Sequence, residues 1–82
     1  MILPHQEKTR NSGIKVLLTN REKEVLYFLT QGFTDKEIGK KLFLSRSTIK
    51  THRKNLILKF DARNSCHLVY LSFSMNVKYL PI

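Results

Sequence analysis

The hydrophobic and polar positions of this 82-residue chain repeat with helical spacing through most of its length. Breaks in the repeat divide the chain into four predicted helices, at about residues 20–31, 35–42, 46–60 and 65–76. Short helices cannot each bury an apolar face alone, so the pattern predicts an all-α fold, a compact four-helix bundle. We expect residues 1–17 to form a flexible lead-in, residues 18–76 one domain, and residues 77–82 a C-terminal tail.

The first two helices begin with the same local signal. Thr19 is followed three residues later by Glu22, and Thr34 by Glu37, so each pair can form a capping box that satisfies two backbone donors. Gly32 is a natural residue to end helix one, since glycine enters the left-handed region without cost. We expect both glutamates to serve capping and structural pairing, with no acid–base chemistry.

A glycine and a short break follow in and after the second helix. Gly39 lies inside helix two, where glycine costs roughly 1 kcal/mol relative to alanine. We expect a closely packed neighbouring helix to compensate for this cost. Phe43 and Leu44 then form a break, and Ser45 is a good N-cap for helix three.

Helix three has a stripe for burial that is separate from its cationic faces. At about 100° per residue, Ile49, Leu56, Ile57 and Phe60 share one face, and Arg53 lies at its edge with its charged end expected in solvent. The opposite face carries Ser47, Lys50, Thr51, Lys54 and Leu58. A flanking face carries Thr48, His52, Asn55 and Lys59.

Positive charge is concentrated on this helix. The chain has a formal net charge of +9, and residues 45–63 contain six Lys or Arg against one Asp. Such an excess points to an anionic partner, either nucleic acid or an anionic membrane surface. Because the apolar stripe of helix three is needed for the core, the cations are held outward, and this argues against a membrane-lying helix.

Several classes of site have no support in the residues. The single cysteine, Cys66, excludes an intramolecular disulfide and a zinc site with two or more thiolates. No nucleophile–base pair, carboxylate pair or glycine-rich phosphate loop is present, so we expect no enzyme, no catalytic residue, no cofactor and no metal. No stretch approaches the roughly 20 apolar residues of a membrane span, and no signal peptide is visible. We expect a cytoplasmic, nucleoid-associated protein.

Helix four carries two apolar stripes, although packing on three helices needs only one. One stripe consists of Cys66, Val69, Tyr70 and Phe73. The other consists of Leu68, Leu71 and Met75. The pattern alone leaves open which stripe is core and which is interface. We expect Leu68, Leu71 and Met75 to form a homodimer interface, since surplus apolar surface usually marks a partner. The alternative is that the chain termini cover this face.

Three stretches at fixed spacing carry a family pattern: LTNREKEVL, GFTDKEIG and LFLSRSTIKTH, followed by Lys59 and Phe60. They closely resemble the helix-turn-helix domain of LuxR/NarL-type (GerE-like) bacterial transcription regulators. A sigma-factor region-four module has a similar helix-turn-helix, but the T-x-R-E and T-x-K-x-H spacings favour the LuxR type. The chain departs from the pattern at Gly39, Phe60 and Asp61, none of which is a DNA-facing position.

The resemblance implies that helix three, about 46–60, is a recognition helix that reads double-stranded DNA in the major groove. Its position and the helical wheel predict base contacts from Lys50, Thr51 and Lys54, with Ser47 a weaker candidate. Phosphate contacts are expected from Thr34, Lys36, Ser45, Thr48, His52 and Lys59. For His52 the alternative is a histidine at the edge of the core, and for Thr34 and Ser45 it is capping alone.

These observations predict a sequence-specific DNA-binding transcription regulator that acts as a dimer. Only about 17 residues precede Leu18, so we expect no receiver or ligand-sensing domain, and the chain is either a standalone regulator or a fragment. RNA polymerase or another regulator is a further candidate partner. The alternative function is a protein-interaction module that heterodimerises with another regulator and modulates it.

Overall fold

The computed structural model describes residues 16–75, and within them the chain forms four α-helices and no strand. The helices are α1 (Asn20–Thr30), α2 (Asp35–Leu42), α3 (Arg46–Phe60) and α4 (Ser65–Ser74). The all-α prediction is confirmed, and every helix begins where the pattern placed its start. Most of the predicted lead-in and all of the predicted tail lie outside the described residues. Within the described part, no helix has the length and apolar character needed to cross a membrane.

Both predicted capping boxes are present at the starts of α1 and α2. Thr19 Oγ1 accepts a hydrogen bond from the backbone N–H of Glu22 at 3.1 Å, and Glu22 Oε1 accepts one from the N–H of Thr19 at 3.0 Å. In α2 the same two bonds join Thr34 and Glu37, at 3.2 and 2.8 Å. Each box satisfies two donors that the first turn of a helix leaves unpaired, so these helices begin at defined residues.

The core is built around α3, which packs against α1, α2 and α4. Its fully or almost fully buried apolar side chains come from all four helices: Val25, Leu26, Ile38, Ile49, Leu56, Phe60 and Leu68. The buried stripe predicted for helix three is confirmed by the three α3 members of this set. A central helix with one apolar face buried leaves its opposite face available to solvent.

Gly39 is needed because of the turn between α2 and α3. A Cβ atom added at Gly39 would lie 2.6 Å from the carbonyl oxygen of Leu44, closer than real Cβ atoms approach. The closest approach therefore comes from the backbone of the turn. The neighbouring helix that was expected here contributes only its first residue, since the added Cβ would lie 3.7 Å from the backbone nitrogen of Arg46 in α3. The reason is that the chain reverses within Phe43–Ser45, which brings Leu44 back onto the last turns of α2.

The turn also holds Phe43 in an unusual state. Its backbone is in the left-handed region, with φ of 59°, and its side chain is 93% exposed. Residues other than glycine and asparagine seldom adopt this conformation at the end of a helix.

The packing of α4 reverses the expected use of its two stripes. Leu68 is fully buried and Leu71 packs against the core, whereas Tyr70 and Phe73 are 63% and 58% exposed. The prediction that Leu68 belongs to a dimer interface is therefore wrong, because its side chain fills the space beside α3. Burial of Ser72 between the apolar positions is possible because its hydroxyl donates to the backbone carbonyl of Val69.

Candidate nucleic-acid interface

One face of α3 brings together the four predicted base-contact residues. Ser47, Lys50, Thr51 and Lys54 are all exposed, and they lie opposite the buried positions of the same helix. Arg46 precedes Lys50 by one turn and is also exposed, so three cations follow one another along the helix at intervals of four residues. This face is a continuous cationic and hydroxyl-bearing surface that the core does not use.

The first turn of α3 is arranged to favour an anion. Ser45 Oγ accepts from the backbone N–H of Thr48 at 3.1 Å and donates to the Thr48 hydroxyl at 2.9 Å, with the Ser47 hydroxyl 3.2 Å away. No acidic residue lies in this turn, so no side chain there offsets the positive end of the helix dipole. Ser45 is both the N-cap and a hydroxyl beside the cationic face.

The start of α2 is electrostatically different. Thr34 and Lys36 are exposed, as a phosphate contact requires, but Asp35 and Glu37 lie in the same turn. The backbone N–H of Thr34 and then its hydroxyl donate to the Glu37 carboxylate, and these bonds hold the pKa of Glu37 below its ordinary value. Two acidic residues in the first turn therefore offset the positive end of α2, which makes it the weaker of the two proposed anion sites.

Lys59 does not lie on the open face. Its ammonium is 2.6 Å from Glu22 Oε1 in α1 and 3.1 Å from the carbonyl oxygen of Leu17. The structure thus places this predicted phosphate contact in a partly buried ion pair that joins the end of α3 to the start of α1.

The carboxyl group of Glu22 is the buried partner in this pair. Burial raises its pKa, but the hydrogen bonds from Lys59 and from the backbone N–H of Thr19, with the positive charges of Lys59 and His52, outweigh burial and lower the pKa below 4.5. His52 is half-buried and lies on the flank of α3 that Lys59 also occupies, beside the cationic face. Thr48, also half-buried, lies on the same flank.

Arg53 is the residue that sequence reasoning misplaced. One terminal nitrogen, Nη2, lies 2.8 Å from Asp35 Oδ2 in α2, and Nη1 donates to Ser65 Oγ in α4 at 3.2 Å. Its charged end is therefore held between three helices by these two partners, with 29% of the side chain exposed, and it is not the free end in solvent that was expected. The signal was its position beside Ile49 on the buried stripe.

We predict that Lys59→Met weakens the domain in a pH-dependent way. A lowered carboxyl pKa contributes stability that is present above the unfolded-state value and is lost as the pH falls through the folded-state value. Without Lys59, burial raises the pKa of Glu22, so the variant loses stability at neutral pH. We expect about 1–2 kcal/mol, less than for a fully buried pair, because the Lys59 side chain is 37% exposed.

Urea unfolding at pH 7 and below about pH 3 measures this difference, which should shrink at the lower pH as the Glu22 carboxyl becomes protonated in both chains. Lys54→Met is the matched control, since Lys54 is an exposed lysine of the same helix and forms no ion pair within residues 16–75. A loss that is the same at both pH values, or equal in the control, contradicts the assignment.

A short helix, a turn of three residues and a longer helix with an exposed cationic face define a helix-turn-helix module of the kind that binds nucleic acid. Residues 16–72 match the family described as bacterial regulatory proteins, luxR family. The chain belongs to this family, whose members are DNA-binding regulators of transcription in bacteria.

Relatives with this domain include named regulators from two bacteria. The chain is 43% identical over 60 residues to the uncharacterized response regulatory protein YgeK of Escherichia coli, a match that covers 73% of this chain and 41% of the relative. It is 44% identical over 59 residues to the CsgBAC operon transcriptional regulatory protein of Escherichia coli, covering 72% and 27%. It is 43% identical over 58 residues to the transcriptional regulatory protein LiaR of Bacillus subtilis, covering 66% and 28%. The chain thus spans well under half the length of these relatives.

Proposed function

We propose that this chain is a sequence-specific DNA-binding regulator of transcription that inserts α3 into the major groove. The main support for this proposal is that one face of α3 is exposed while the other is buried in the core. The exposed face carries Ser47, Lys50, Thr51 and Lys54. The relatives are named as transcriptional or response regulators, in line with this function. A protein with this role acts at the bacterial nucleoid.

The exposed face supplies suitable chemistry for reading bases. Lys50 and Lys54 can donate to O6 and N7 of guanine, and the methyl group of Thr51 can contact the methyl group of thymine. The Thr51 hydroxyl already donates to the carbonyl oxygen of Ser47 at 3.2 Å, which leaves the methyl group as its more available feature. Ser47, at the first turn, is the secondary reader.

Phosphate contacts are proposed on both sides of this face. Ser45 and Thr48 lie at the electropositive start of α3, where a backbone phosphate is favoured. Lys36 and Thr34 reach a second phosphate from the start of α2, and His52 lies on the flank of α3 beside the cationic face. Lys59 acts through its ion pair with Glu22, which holds α3 in place, and not through a contact of its own.

We further propose a homodimer formed through α4, with the outward stripe in the interface. Tyr70 and Phe73 of this stripe are 63% and 58% exposed, and Met75, the C-cap residue that ends α4, is 46% exposed, so large apolar side chains are concentrated on this helix and its end. Dimerisation through this stripe would set two recognition helices about one DNA turn apart, so that each reads one half-site.

We predict that Tyr70→Asp weakens the dimer by about 2 kcal/mol or more, roughly 30-fold in dissociation constant, because it places a charge in an apolar interface. Sedimentation equilibrium over a range of concentrations measures the constant. Phe43→Asp is the control: it removes an aromatic side chain that is 93% exposed but lies on the α2–α3 turn. A chain that stays monomeric at all concentrations and on DNA overturns the dimer proposal.

Selection from a randomised duplex pool at about 50 mM and 200 mM salt tests the proposed function. The expected result is enrichment of a short motif with paired half-sites, together with a steep fall in affinity at higher salt. Binding without enrichment would mean that the domain grips the DNA backbone alone. Absence of binding would instead favour the alternative, a module that heterodimerises with another regulator through the apolar stripe of α4.

A further inference from the structure

We propose that Arg53 is a positioning residue that sets the start of α2 against the base-reading face of α3. Its guanidinium contacts Asp35, the first residue of α2, at 2.8 Å and Ser65, the first residue of α4, at 3.2 Å. One side chain from the middle of α3 therefore joins the beginnings of two other helices. This inference rests on the proposed DNA-binding function.

The contribution of Arg53 to folding is expected to be small. The side chains of Arg53 and Asp35 are 29% and 14% exposed, so both charges are largely removed from water. The Nε atom of Arg53 is buried and has no hydrogen-bond partner within the described residues. Desolvation and an unpaired donor offset much of the attraction, and an apolar side chain of similar size often stabilises such a site equally well.

The guanidinium of Arg53 fixes the relative orientation of the helices that it joins. Its planar group donates along fixed axes, so the contacts with Asp35 and Ser65 define an angle as well as a distance between helices. A methionine or a lysine in its place could fill the space but could not hold both partners in one geometry. The arrangement therefore specifies how α2 and α4 are set on α3.

The consequence for DNA follows from the neighbours of the ion pair along the chain. Asp35 lies between Thr34 and Lys36, the proposed phosphate contacts of α2, while Arg53 immediately precedes Lys54 on α3. The pair thus fixes the spacing between backbone contacts and base contacts. If it is lost, the phosphate contacts can still form, but they no longer hold the base-reading residues in register.

The experiment compares Arg53→Met with the unaltered chain on a selected site and on random duplex of the same length, at several salt concentrations. We expect about tenfold weaker binding of the selected site, which corresponds to the loss of roughly one base contact. The affinity for random duplex should change less than about twofold. The slope of log affinity against log salt should not change, because the guanidinium faces Asp35 and not a phosphate.

Lys36→Met is the control, because Lys36 is a proposed phosphate contact next to Asp35, is exposed and forms no ion pair within residues 16–75. It should weaken binding to both duplexes alike and reduce the salt slope by about one. Asp35→Asn tests the other end of the pair, and it does so even if Arg53→Met fails to fold. The double variant Arg53→Met/Asp35→Asn should show the same ratio of affinities for selected and random duplex as either single variant, since both changes remove the same interaction.

The outcomes separate this inference from the function on which it rests. A selected site whose recognition is unaffected by Arg53→Met and by Asp35→Asn overturns the positioning role alone. A salt slope reduced by about one in Arg53→Met also overturns it, since Arg53 would then contact a phosphate itself. Failure of the unaltered chain to select any sequence overturns the proposed function and the positioning role together.

Discussion

Leu56→Ala is expected to unfold a large fraction of this domain, whereas Leu58→Ala, two residues further along α3, should leave its stability nearly unchanged. Leu56 is fully buried in the core and Leu58 is 73% exposed. Removing a buried leucine side chain costs about 2–5 kcal/mol, from lost burial and from the cavity that remains. The total stability expected for the described part of the chain is only about 3–9 kcal/mol.

Urea unfolding followed by circular dichroism measures both variants. Leu58→Ala is the control, because it removes the same atoms from the same helix at an exposed site. Its free energy of unfolding should change by no more than about 0.5 kcal/mol. Equal losses at the two positions would contradict the orientation of α3 in the bundle.

The double variant Lys50→Ala/Lys54→Ala is expected to lose about 2–6 kcal/mol of binding energy for the selected DNA site, because each base contact contributes about 1–3 kcal/mol. The loss of binding energy on random duplex should be much smaller, since base contacts form only where the matching base pairs are present. Both lysines are exposed and outside the core, so the free energy of unfolding should not change. Titration of both duplexes at one salt concentration measures the difference.

Lys40→Ala/Lys41→Ala is the control matched in charge. Both lysines are exposed in the last turn of α2, and their removal lowers the net charge of the chain by the same amount. Any loss should be the same on selected and random duplex, because it reflects general attraction to DNA. A selective loss in this control, or a uniform loss in the Lys50/Lys54 variant, would remove the basis for assigning base contacts to α3.

The features that could be predicted from the sequence are those that depend on neighbouring residues. The capping boxes of α1 and α2 need only a Thr and a Glu three positions apart, and both formed as expected. The buried stripe of α3 follows from the period of the helix, so Ile49 could be placed in the core and Lys50 outside it.

The features that could not be predicted depend on where a second helix lies. Helix four has two apolar stripes of similar strength, and only its packing against α3 shows that Leu68 is buried and Tyr70 is not. Lys59 and Arg53 find acidic partners 37 and 18 residues away, in α1 and α2. No local spacing signals those pairs, so neither ion pair could be predicted from the sequence.

The orientation of α3 has an evolutionary consequence. Substitutions at the outward positions 47, 50, 51 and 54 alter what the helix touches without disturbing the hydrophobic contacts beneath it. Under the proposed function, selection can change the DNA site that is bound without changing the melting temperature. Substitutions at the inward positions can change thermal stability while the same DNA site is retained. DNA specificity and thermal stability thus depend on different residues of one helix and can evolve independently.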